Sequence, residues 1–269
     1  MNEEQRLACH TMQQIVKHKC LFKLFVSTLI LKGMMSLSIE NTNMRQKAAV
    51  DIMKQFSKRT GLLQADTKKD ETTYDERINR RYLWTDSFAL CNYIGFSRYC
   101  SKIGDENGKE YNEMLCYKLI ENVHDKLGRF RSDDKNLERR MKWISGLSEE
   151  EGKLHPTKGG LRIGKAMVER DESEPYDDRL EWDRDGQYFH YLTKWIFALD
   201  QMARYSNDPI YNVWAEEMAV TATQKFTYKP SKGYKGYRMY WKMSTDLSRP
   251  LVSSMGASDP LGNSLSILP

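Results

Sequence analysis

Three times along this chain a cluster of aromatic and acidic residues stands at the head of a segment. The clusters are Tyr82-Leu83-Trp84-Thr85-Asp86, Leu180-Glu181-Trp182-Asp183, and Met239-Tyr240-Trp241 with Asp246. Behind the first two, the side chains follow the 3.6-residue period of an amphipathic helix. Phe88, Ala89, Cys91, Asn92 and Ile94 carry the first helix to about Tyr99, and Gly104-Asp105-Glu106-Asn107-Gly108 makes a polar turn. Tyr111, Met114, Leu115, Tyr117, Leu119, Ile120 and Val123 then stripe a partner helix as far as Leu127, with Gly128 as its stop. The second cluster, running on through Asp185 and Gln187, opens a helix striped by Phe189, Leu192, Trp195, Ile196, Leu199 and Met202. After the turn Ser206-Asn207-Asp208-Pro209, its partner carries Ile210, Val213, Trp214, Met218 and Ala222 towards Phe226.

Each pair predicts a helix hairpin, and a hairpin that cannot bury both its faces needs neighbours to stack on. The expected fold class is therefore all-α, built from repeated helix hairpins. An earlier helix is expected from about residue 43, with Ala48, Ala49, Ile52, Met53 and Phe56 on one face and Gly61 at its end. Residues 1–42 then form an N-terminal extension and residues 43–269 the helical domain. The third cluster is expected to open a helix too, but beyond Arg249-Pro250 no amphipathic segment follows that could close the pair.

Charge narrows the partners. The chain's 42 Lys and Arg stand against 37 Asp and Glu over 269 residues, and the net +5 is spread through mixed-sign segments. That pattern is a solvated surface and predicts no nucleic-acid partner. The cysteines, at 9, 20, 91, 100 and 116, are odd in number and lack metal-ligand spacing, which fits reduced thiols packed as small apolar residues. Residues 21–32 form an apolar run interrupted by Lys23, well short of the roughly 20 residues that span a bilayer. No transmembrane span is expected. A cytoplasmic location is favoured, with secretion or peripheral membrane attachment left open by that run.

Such hairpins, with Trp, Asp, Glu, Arg and His gathered at inner-helix openings, resemble the six-hairpin (α/α)6 toroids of carbohydrate-active proteins. N-acylglucosamine 2-epimerase-like proteins and several glycosidase families share that barrel. The resemblance covers about residues 43–260 and implies inner helices whose N-terminal ends face one central cleft. Two complete hairpins and two unpaired helices match about the first two-thirds of such a ring. An incomplete toroid is therefore expected, C-terminally short, whose uncovered apolar faces favour self-association.

Acid–base chemistry on sugars needs two carboxyl groups facing one bond. Glu181, Asp183 and Asp185 supply candidates, Asp86 and Asp246 occupy comparable openings, and Trp84, Trp182 and Trp241 offer faces for sugar stacking. The competing reading is structural, since acids in a first helical turn also cap the helix or favour its dipole. Isomerisation would instead need a base near neutral pH, for which His190, seven residues after Asp183, and His155 are candidates. Arg162 and Lys165, beside Gly159, Gly160 and Gly164, can bind an anionic group on a ligand. That glycine run is no dinucleotide fingerprint, because no strand precedes it.

H-E-x-x-H, G-x-S-x-G and Cys/His zinc patterns are absent from the sequence, so no cofactor and no resident metal are expected, although scattered carboxylates leave calcium open. Two functions follow. One is sugar hydrolysis or isomerisation in a cleft at the inner-helix openings. The other is a noncatalytic helical-repeat binding protein, or an inactive truncated toroid.

Overall fold

The structure is a computed structural model, and it describes residues 39–63, 80–230 and 236–252. The N-terminal run 21–32, Cys9 and Cys20 lie outside the described residues. The chain divides into two units at Arg80–Arg81, further along than the expected boundary at residue 43.

In the first unit, helix α1 spans Ile39–Arg59 and ends at Gly61, whose φ of +68° suits glycine best. Its buried side is narrower than the sequence predicts. Met53, Phe56 and, past the helix, Leu62 are buried, whereas Ile52 and Ala48 are exposed.

The second unit is mostly helical. Helices α2 (Leu83–Ile103) and α3 (Glu106–Leu127) form one hairpin. Two short helices follow, α4 (Glu149–Leu154) and α5 (Asp178–Asp183). Strand β1 (Gln187–Tyr188) leads directly into α6 (Phe189–Ser206), which pairs with α7 (Ile210–Phe226) as the second hairpin.

The α6 stripe is buried as its spacing predicts, with Phe189, Leu192, Trp195, Ile196, Leu199 and Met202 all inside. On α3 the buried side is Leu115, Cys116, Leu119, Ile120, Val123, His124 and Leu127, while Tyr111, Met114 and Tyr117 are exposed. Helix α2 packs on both α3 and α6, which is why it buries Ala89, Leu90, Tyr93 and Ile94 together with small polar residues such as Ser87 and Ser97. Phe88, expected on the buried stripe, is exposed at its edge.

The two hairpins are aligned. Tyr82, just before α2, stacks edge-on against Tyr191 in the first turn of α6, and at the other end Ser97 of α2 bonds Tyr205 near the end of α6. Helices α2 and α6 therefore run parallel, with their N-termini side by side.

Two expectations need correction. The Leu180–Gln187 cluster does not open a long helix, because α5 stops at Asp183 and an extended link through Arg184–Gly186 carries the chain into β1. The fold is mostly helical, as expected, but it carries two small sheets as well. The third cluster forms strands: β3 (Arg238–Met239) pairs antiparallel with β2 (Thr227–Tyr228), which directly follows α7. Strand β4 (Lys242–Met243) then lies between β1 and β5 (Pro250–Val252) in an antiparallel sheet, with Tyr188 opposite Lys242 and Gln187 opposite Met243. The reason lies in the turn between β4 and β5. Asp246 accepts from the Ser248 backbone N–H and both flanking serine hydroxyls, and Leu247 takes a φ of +58°. Such a turn folds two short apolar segments back on each other and cannot continue a helix.

Residues 129–180 are irregular yet well packed. Leu161 and Ile163 are fully buried, and Gly164, at φ +87°, passes so close to the Arg81 carbonyl that a Cβ would meet its oxygen at 2.1 Å. Gly128 stops α3 as expected, in a right-handed conformation.

Candidate functional site

The parallel arrangement of α2 and α6, with β4 laid against β1, gathers side chains from three distant segments at one end of the second unit. Trp84 lies 5.1 Å from Tyr191 and 5.8 Å from His190 between ring centroids. His190 is 4.5 Å from Trp241, and Tyr188 lies within 5.2 Å of both His190 and Tyr191. Trp182, 42% exposed, stands at the edge, 6.4 Å from Tyr188. Tyr188 is buried beneath, while Trp84, His190, Tyr191 and Trp241 are half-buried. The result is an aromatic bed with a rim of polar atoms.

The Tyr82 and Tyr191 hydroxyls are 2.5 Å apart. Burial and the bond to Tyr82 push the Tyr191 phenol well above its ordinary value, so it stays protonated near neutrality. Lys165 Nζ sits 5.6 Å from the centre of the Tyr82 ring and Lys194 Nζ 5.9 Å from that of Trp84. Trp241 Nε1 is a buried donor with no acceptor among the described residues.

The acids that sequence reasoning places here have other partners. Glu181 is buried, holds Arg170 Nε at 2.5 Å and lies 3.4 Å from Lys242 Nζ, which is fully buried and also donates to the Glu181 and Arg184 carbonyls. Asp185 is fully buried and accepts from Arg162 at 2.5 Å and from the backbone N–H of Gly164 at 2.9 Å, with Arg131 3.5 Å away. Both carboxylates are thus engaged in tying the loop around residues 162–170 to the entrance of α6. Asp183 is exposed, close enough to raise the Tyr188 pKa by its charge.

Asp86 is buried beneath the bed. It reaches back to the Tyr82 backbone N–H at 3.0 Å and pairs with Arg81 at 3.7 Å, so it does serve the first turn of α2. Burial, opposed by Arg81, pushes its carboxyl up to about 6.

Three candidates lie apart from the bed. Asp246 lines a charged cavity of about 280 Å³ with Arg131, Arg139, Glu169 and Arg249. His155 bonds Glu217 of α7 at 2.5 Å, in a contact where Thr157 also donates to the Trp214 carbonyl. Arg162 is buried and spends its guanidinium on Asp185 and on the carbonyls of Lys126 and Arg129, a structural clamp and not a ligand contact.

The structure therefore brings together Trp84, Trp182, Trp241, His190 and Lys165 from the predicted set, with Asp183 at the edge. It adds Tyr82, Tyr188, Tyr191 and Lys194. The aromatic run Tyr188-Phe189-His190-Tyr191 was a usable signal for two of these; its first two residues are buried and its last two half-buried at the helix entrance. No group of His, Cys, Asp and Glu among the described residues is arranged to hold a metal ion.

No protein-family model matches the chain, and neither a curated protein nor a solved structure matches it. Among the described residues no helix is long and apolar enough to cross a membrane.

Proposed function

We propose that the chain is a carbohydrate-active protein that binds a sugar on the aromatic bed at the openings of α2 and α6. The observation that carries this reading is the convergence of Trp84, His190, Tyr191 and Trp241, half-buried, from three separate segments. Flat apolar rings edged by hydroxyl and ammonium donors suit a pyranose, which has apolar faces and a polar perimeter. The parallel first helices of two successive hairpins support the likeness to part of an (α/α)6 ring.

For chemistry, the bed favours isomerisation over hydrolysis. A hydrolase needs two carboxyl groups facing one bond, and Glu181 and Asp185 are both held in buried ion pairs. His190 stands on the bed itself as the proton-transfer group, with the Tyr82–Tyr191 pair beside it. The same engagement of Glu181 and Asp185 favours a second reading, a noncatalytic sugar-binding module. Exposed Tyr99, Ile103, Tyr111, Met114 and Tyr117 on the first hairpin support self-association.

Isothermal calorimetry against a panel of neutral, acidic and phosphorylated sugars tests the reading, with Trp84→Ala and Trp241→Ala as controls. Binding that both substitutions abolish in folded protein supports the bed; its absence across the panel defeats the proposal. Proton exchange at a bound sugar followed by NMR, lost in His190→Ala, separates isomerase from module.

A further inference from the structure

Resting on the carbohydrate reading, we propose that the sugar this bed takes carries an anionic substituent, a carboxylate or a sulfate, held at the edge formed by Lys165, Lys194 and the Tyr82–Tyr191 hydroxyls.

Each buried acid around the bed has its own cation: Glu181 has Arg170 and Lys242, Asp185 has Arg162 and Arg131, and Asp86 has Arg81. Lys165 differs. Its backbone N–H is 3.3 Å from Asp185, but among the described residues its ammonium makes no ion pair and lies over Tyr82. Lys194 brings a second ammonium over Trp84, and burial lowers its pKa, the mark of a cation held partly out of water. Tyr82 and Trp84 both touch Tyr191, so the two ammonium groups belong to rings flanking one shared residue.

The Tyr82–Tyr191 hydroxyl pair can satisfy only one of its own protons internally. If one phenol donates to the other, the second O–H remains to donate outward. The Lys165 ammonium and a phenolic donor form a set that charge-assisted hydrogen bonds to an anion complete, and the Lys194 charge over Trp84 adds to the same positive field. Acceptors suited to neutral sugar hydroxyls are scarce here, with Asp183 the exposed carboxylate near Tyr188.

The chain would be titrated calorimetrically with glucuronic acid, galacturonic acid and glucose 6-sulfate, and with glucose and galactose as neutral counterparts, at low and high salt. An anionic sugar is expected to bind about tenfold tighter than its neutral parent, a preference that high salt erodes. Lys165→Ala should abolish that preference, costing the anionic sugar about tenfold more affinity than its neutral parent, and Lys165→Arg should retain it. Circular dichroism checks that each variant folds.

Carboxylate and sulfate arms show which anion is preferred. Equal affinity for glucose and glucuronic acid, or an equal loss for both in Lys165→Ala, overturns the inference and leaves the carbohydrate reading standing. Inorganic sulfate binding as tightly as glucose 6-sulfate overturns it as well, because the ring would then contribute nothing. Failure of every sugar to bind removes the carbohydrate reading and this inference with it.

Discussion

The phenolic oxygens of Tyr82 and Tyr191, 109 positions apart in sequence, lie 2.5 Å from each other and tie the entrances of the two hairpins together. Removing either hydroxyl should cost about 1 kcal/mol, the net worth of a part-buried hydrogen bond. Because each substitution breaks the same bond, Tyr82→Phe and Tyr191→Phe should be non-additive. A double-mutant cycle by urea denaturation is expected to give a coupling energy of about 1 kcal/mol; additive losses would show that the oxygens are neighbours without a bond.

Asp185 is expected to matter for folding. Asp185→Asn should destabilise the chain by about 3–5 kcal/mol, since Arg162 would be left buried against a neutral amide. The urea midpoint checks this. Loss of less than about 1 kcal/mol, together with lost sugar turnover, would return Asp185 to a catalytic role.

His124 and Trp195 make the pH dependence specific. Trp195 Nε1 donates to His124 Nε2 at 3.1 Å, which requires that nitrogen to be neutral, and burial lowers the His124 pKa from 6.5 to about 3. The unfolded chain therefore takes up a proton near pH 6.5 that the folded chain refuses until about pH 3. Stability from this group is present above pH 6.5 and is lost as the pH falls towards 3, by about 5 kcal/mol in all. The acid limb of a denaturation series should be shallower in His124→Asn than in the parent chain.

Asp86 works in the opposite sense. Its carboxyl is raised from 3.8 to about 6 in the folded chain, so its contribution is complete below pH 3.8 and is lost as the pH rises through 6. Stability of the parent relative to Asp86→Asn should therefore fall by about 2 kcal/mol between pH 4 and pH 7. A difference that stays constant over that range would mean that Arg81 keeps Asp86 ionised throughout.

Arg129 combines a bidentate pair to Glu149, at 2.7 and 2.8 Å, with a guanidinium lying 3.9 Å over Trp143. A lysine can offer neither the fork nor the stacked plane. Arg129→Lys is expected to lower stability by about 1–3 kcal/mol, read from the thermal or urea midpoint, and limited proteolysis should then cut preferentially between residues 131 and 148.

Sequence periodicity determined the two hairpins. The stripe from Phe189 to Met202 could be buried along one side of a helix and in no other way, and Gly104, Gly128 and the Ser206–Pro209 turn mark where α2, α3 and α6 stop. The meeting of Trp84 with His190 and Trp241 was not legible to the same degree. It depends on α2 and α6 being parallel and on β4 pairing with β1, and such long-range pairings leave no periodic trace in a single chain. Segments as short as Met239–Met243 have too few side chains to tell strand from helix, and there the polar turn at Ser244–Ser248 decided the outcome by closing a hairpin. The acids show the same division. That Glu181, Asp183 and Asp185 gather before a helix is written in the sequence, but which of them faces solvent depended on where Arg170, Arg162 and Lys242 were carried by distant segments. A buried carboxylate needs a cation beside it, and only the tertiary structure can supply one from 20 or 60 residues away.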